Sequence, residues 1–146
     1  MEEIIQEKIS ADHLLYVSLK YTKTCDVIMN LLLRWRKMID TSINESLKHA
    51  KKKNKIKEIP ENYVGKLEKI KILFKKDKNF QLTLDFYEML KKLENLRTER
   101  IGEFRKNVAL RISYKGETIE VNLEKLKEYA DMLEKFIFYT KQFLMS

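Results

Sequence analysis

The chain has 146 residues, of which 44% are apolar and 36% charged, with only three Gly and one Pro. That length fits one domain able to hide roughly two-thirds of the surface its unfolded form exposes, and the balance argues against disorder and for long, well-solvated helices. The net charge of +8 lies entirely between Lys48 and Lys78, where 12 Lys face four acids, while the other 115 residues carry 18 basic and 18 acidic side chains.

The start, Met-Glu-Glu-Ile-Ile, is acidic where a secretion signal would be basic. The longest apolar stretch, Val27 to Leu33, is broken by Asn30 and closed by Arg34. Cys25 is the only cysteine, so an internal disulfide and any site built on paired cysteines are excluded. These features favour a cytoplasmic protein without a membrane span.

From about residue 3 to about residue 54, Leu14, Tyr21, Cys25, Ile28, Leu32, Ile39, Ile43 and Leu47 recur at helical spacing with no breaker. The expectation is one very long helix, or two in series, with Ser18 to Thr24 as the place for a kink. Ile59-Pro60 stops that run. A helix over about 61–76 follows, with Tyr63, Leu67, Ile70 and Phe74 on one face and Gly65 weakening it. The next, about 81–101, carries Leu82, Phe86, Met89, Leu93 and Leu96 and ends before Gly102.

The period then changes to two. Val108, Leu110, Ile112 and Tyr114 alternate with smaller or polar residues, and after Lys115-Gly116-Glu117 the alternation resumes at Ile119 and Val121. This predicts a β-hairpin over about 107–121, with its apolar face laid on the helices. Asn122 caps a last helix whose stripe is Leu126, Ala130, Leu133, Ile137 and Leu144. Tyr129, Phe136, Phe138, Tyr139 and Phe143 widen that stripe beyond what one neighbour covers, so the helix is either central to the bundle or meets another protein, for instance a second copy. The expected fold is mainly α: a single-domain bundle of four to five helices, with one very long N-terminal helix and a single hairpin before the last helix.

Chemistry is harder to find. His13 and His49 lie 36 residues apart on one predicted helical run, roughly 50 Å if it is straight, and read as ordinary surface histidines. No Gly-rich loop, nucleophile elbow, metal-ligand cluster or cofactor fingerprint is present, so enzymatic activity has no support in the sequence. Arg36 falls within the Leu32–Ile39–Ile43 stripe, and Arg97 and Arg100 continue the stripe begun by Phe86 and Leu93. A cation there must be paired, snorkel or hold an anion. Asp40 is the expected partner of Arg36, and Arg97 and Arg100 are expected to face either a carboxylate from another helix or a bound anion.

In the basic block, Lys48, Lys51, Lys52 and Lys55 would form one ridge, with Lys57 in the following loop and Lys66, Lys69, Lys75, Lys76 and Lys78 close behind. Such a ridge suits a phosphate backbone contacted without regard to sequence, although aromatic residues are scarcely interleaved with these lysines. The leading expectation is a non-enzymatic protein that contacts nucleic acid or a ribonucleoprotein there. Its rival is a protein-interaction module or homodimer using Tyr129, Phe136, Tyr139 and Phe143.

The order Ala11-Asp12-His13-Leu14-Leu15-Tyr16-Val17 opening a long helix, then Glu103-Phe104-Arg105-Lys106 leading to a hairpin and a closing amphipathic helix, resembles a family of small archaeal helical proteins without an assigned function. The resemblance implies an archaeal cytoplasmic protein and no particular reaction. More loosely, the chain is similar to HEPN-type helical bundles, among them RNases whose signature is an arginine followed four to six residues later by a histidine. Here Arg97 and Arg100 lead instead to Phe104, Arg105 and Lys106, so the nuclease role is not implied.

Overall fold

Why the N-terminal run is not one helix is visible at Thr22–Thr24. The computed structural model, which describes residues 1–146, has α1 (Glu2–His13), a π-helical turn (Leu14–Ser18) and a short α2 (Leu19–Tyr21), then a reversal into α3 (Cys25–Lys52). Thr22 and Thr24 are extended, and the Thr24 hydroxyl accepts from Val27 N at 3.3 Å, capping α3. A second cap comes from far along the chain: the Glu103 carboxylate accepts from Cys25 N at 3.1 Å. The expected very long helix is thus two antiparallel arms. Glu7 on α1, buried, receives Arg34 at 3.4 Å and Lys37 at 3.2 Å from α3.

The π turn has its own cause in the sequence. Buried Ala11, Leu15 and Leu19 are spaced by four, which drifts about 40° per step around a 3.6-residue helix. A wider turn between them cancels the drift and keeps all three facing α3.

The second arm is α3 itself, which runs to Lys52. Asn54, at φ 60°, closes α3 in a left-handed cap, with Lys55 N donating to Ala50 O at 2.8 Å and Asn54 N to Lys51 O at 3.0 Å. Helix α4 (Tyr63–Leu73) starts behind Asn62, whose side chain accepts from Gly65 N at 2.7 Å. Gly65 is required for packing: a Cβ there would stand 2.7 Å from Pro60 Cβ. Helix α5 (Lys78–Lys91) is capped by Asp77. It ends ten residues before the expected limit, passing through a 3₁₀ turn at Leu93–Asn95 into strand β1 (Thr98–Ile101).

That strand corrects the single hairpin. β1 pairs antiparallel with β2 (Ala109–Tyr114), which pairs with β3 (Glu117–Asn122), in the order β1-β2-β3. Leu110 opposite Val121 and Ile112 opposite Ile119 cover the core, while on the outer face Arg111 lies between Glu120 at 3.1 Å and Glu99 at 3.7 Å. Helix α6 (Leu123–Leu144) follows at once, Asn122 accepting from Lys125 N at 2.8 Å.

One core of 30 buried residues joins all these layers. Its aromatic centre is Trp35 edge-on to Phe86 at 6.2 Å, with Phe86 stacked on Tyr129 at 4.1 Å. Thr140, which interrupts the α6 stripe, is fully buried because its hydroxyl donates to Phe136 O at 2.8 Å. No helix is long and apolar enough to cross a membrane.

Candidate nucleic-acid interface

Three helices end at the same end of the bundle, and Phe143 of α6 is where they meet. Its ring lies 4.9 Å from Phe74, just past the end of α4, and 5.1 Å from His49, near the end of α3. Lys55 Nζ stands over it at 5.0 Å, and Phe74 stacks on Phe80 of α5 at 3.9 Å. Convergent helix C-termini carry partial negative charge, which lysines in the last turns offset. That accounts for some lysine at this end in purely architectural terms.

The number of lysines exceeds that need. Lys48, Lys51 and Lys52 are exposed on the last turns of α3, and Lys75, Lys76 and Lys78 are exposed around the α4–α5 connection. Of these only Lys48 has a carboxylate within ion-pair range, Glu45 at 3.9 Å. Asp77, the acid amid the second group, is occupied in accepting from Phe80 N at 3.1 Å. Two solvent-open depressions lie on either side of the last turns of α6. One of about 690 Å³ is lined by Lys75, Lys76, Lys78, Asn79 and Tyr139, and one of about 530 Å³ by Lys48, His49, Lys52 and Lys141.

Not all the expected lysines contribute. Lys66 lies back along α4, where it donates to Asn44 Oδ1 at 2.9 Å. Lys69 is exposed farther along that helix and Lys57 in the 53–62 connection. Lys71, inside the charge block, is consumed by Glu88 of α5. Lys141 was missed: it belongs to α6, outside the block, and only the folding of α6 against α3 brings it here.

The arginine expectations change most. Arg36 does not pair with Asp40. It bonds the Leu90 carbonyl at 3.0 Å and Glu94 at 2.5 Å, and that bond holds the Glu94 carboxyl below its ordinary value. Asp40 instead accepts from the buried Tyr87 hydroxyl and meets Lys91 at 3.5 Å. Burial, then the Asp40 hydrogen bond, pushes the Tyr87 pKa up. Arg97 and Arg100 are not on a helical stripe at all, because α5 has already ended. Arg97 is exposed, and Arg100 sits on β1 with Asp26 of α3 at 2.5 Å and Glu103 at 3.7 Å.

The aromatic face of α6 is largely spent internally. Phe136 is fully buried, and Tyr129 and Phe143 are partly buried against Trp35, Phe86, Phe74 and His49; only Phe138 and Tyr139 point outward to a large degree. The histidines are closer than a straight helix would put them, since α1 and α3 are antiparallel. Met1 rather than His13 lies beside His49, however, and no group of His, Cys, Asp and Glu is arranged to hold a metal. Cys25 donates its thiol proton to Ala109 O at 3.2 Å; burial and the adjacent Glu103 push its pKa to about 11.

No family model matches the chain, and neither the curated proteins nor the solved structures include one significantly similar to it.

Proposed function

We propose that the protein is a non-enzymatic helical module that contacts nucleic acid, free or within a ribonucleoprotein, through the lysines around Phe143. What supports the reading is the clustering of Lys48, Lys51, Lys52, Lys75, Lys76, Lys78 and Lys141, drawn from separate elements, with only two carboxylates, Glu45 and Asp77, among them. Contact is to phosphate, so the affinity is insensitive to sequence and steeply dependent on salt. Kinship with the small archaeal helical proteins is part of this proposal and rests on residues 11–17 and 103–106. Nucleolysis is not part of it: Arg97 and Arg100 lead to an exposed loop without histidine.

Binding to duplex DNA and structured RNA should be measured across salt for the protein and for a variant with Lys48, Lys51, Lys52 and Lys55 changed to Glu. On a duplex, the slope of log affinity against log salt should flatten by roughly 0.9 for each phosphate that the variant no longer neutralises. No binding at low salt, or an unchanged slope in the variant, sinks the reading.

A further inference from the structure

The opposite end of the bundle holds a different kind of surface. There the 102–108 loop docks on the Thr22–Thr24 reversal, Phe104 N donating to Lys23 O at 2.6 Å. Phe104 sits at φ 65°, a left-handed conformation that a bulky side chain adopts only under strain. Gly or Asn would hold the same backbone without that cost. Nor is the ring spent on the core: it is 76% exposed. Neither the turn nor the packing explains a phenyl ring at this position.

Two residues before Lys23, whose carbonyl holds Phe104 N, Tyr21 is 79% exposed, with Lys20 Nζ 5.8 Å from its ring. Lys20 and Lys23 lie on either side of Tyr21 in the chain, and Arg105 and Lys106 directly follow Phe104; none has a carboxylate within ion-pair range, and Lys23 Nζ donates only to Lys20 O, at 2.7 Å. The acids nearby are engaged: Asp26 with Arg100, and Glu103 with Arg100 and the start of α3. Two outward rings with cations next to them in the chain that no carboxylate neutralises match a strand that presents flat π-faces and a phosphate at every step.

We propose that this end is a binding site for single-stranded nucleic acid, with bases stacked on Phe104 and Tyr21 and phosphates held by Lys20, Lys23, Arg105 and Lys106. A duplex hides its base faces and gains nothing from the rings, so this end discriminates single strands from duplexes. The site does not depend on the lysines around Phe143.

The test is fluorescence anisotropy with a labelled oligouridylate, its DNA counterpart and a matched duplex. Phe104→Gly removes the strain together with the ring, so its melting temperature should stay level or rise, which separates a binding defect from a folding defect. Single-strand affinity should fall about tenfold for each base stack removed, with duplex affinity unchanged and Phe104→Trp retaining binding. The same fall on Phe104→Gly should appear in the protein with Lys48, Lys51, Lys52 and Lys55 changed to Glu, so failure of one surface does not mask the other. Single-strand affinity unchanged in the Tyr21→Ala/Phe104→Gly double variant, equal falls for single strand and duplex, or binding to phosphatidylserine vesicles in place of oligonucleotides would each overturn the proposal.

Discussion

Arg36 and Asp40 stand one turn apart on α3, near enough to pair, yet each reaches away from α3, to α5 and the turn after it. Tyr87 explains the choice. Its hydroxyl is buried and needs an acceptor, and Asp40 supplies it, leaving Arg36 to Glu94. Because the Glu94 side chain is 63% exposed, Arg36→Met should cost about 1 kcal/mol, the scale of a solvent-screened pair, rather than the 3 to 5 kcal/mol of a stranded buried charge. The Glu94 carboxyl is depressed in the folded state, so its contribution is present above the ordinary value of 4.5 and disappears as pH falls through the lower folded value. Thermal melts taken down the acid range should therefore show a shallower acid decline in Arg36→Met than in the parent. Cys25, protonated and inside, should resist thiol reagents until the protein is unfolded.

At the scale of elements, what local chemistry writes plainly into the chain is what the structure keeps. The 108–121 alternation, the Lys115-Gly116 turn and the Asn122 cap specify β2, β3 and the start of α6 without outside help. β1 could not be read in the same way. Thr98-Glu99-Arg100-Ile101 has one apolar residue, and Leu93 and Leu96 before it are at helical spacing; the strand exists because β2 offers it an edge. At Thr22–Thr24 the place of the break was legible, within the Ser18 to Thr24 stretch expected to kink, but the full reversal was not, since half of its support, Glu103 and Phe104, lies some 80 residues later. Those supports should be measurable. Gly102 is at φ 62°, where a Cβ would meet Asn107 O at 2.9 Å, so Gly102→Ala should cost about 2 kcal/mol. Glu103→Ala, which removes one of the two caps of α3, should cost about 1 kcal/mol; urea denaturation reads both.

Across the whole molecule, the charge block gave away a surface but not its membership. Counting cannot tell that Lys66 and Lys71 are tied up by Asn44 and Glu88, or that Lys141 joins from α6, because those relations come from tertiary packing. The α6 aromatics show the same division: the width of the stripe was legible, and its burial was a matter of α3, α4 and α5 closing around it. Phe136 is fully buried and 4.7 Å from Phe80, so Phe136→Ala should lower the stability read by urea denaturation by about 3 to 5 kcal/mol. The π turn, finally, bears on how the chain can change length. It holds one residue more than an α-helical turn of the same rise, so removing exposed Val17 would let Ala11, Leu15 and Leu19 fall at spacings of four and three, the natural register of a helix stripe. The first arm would then close over the gap with its two ends in place, whereas the same excision in the middle of α3 would turn every following residue by about 100° and take the core apart.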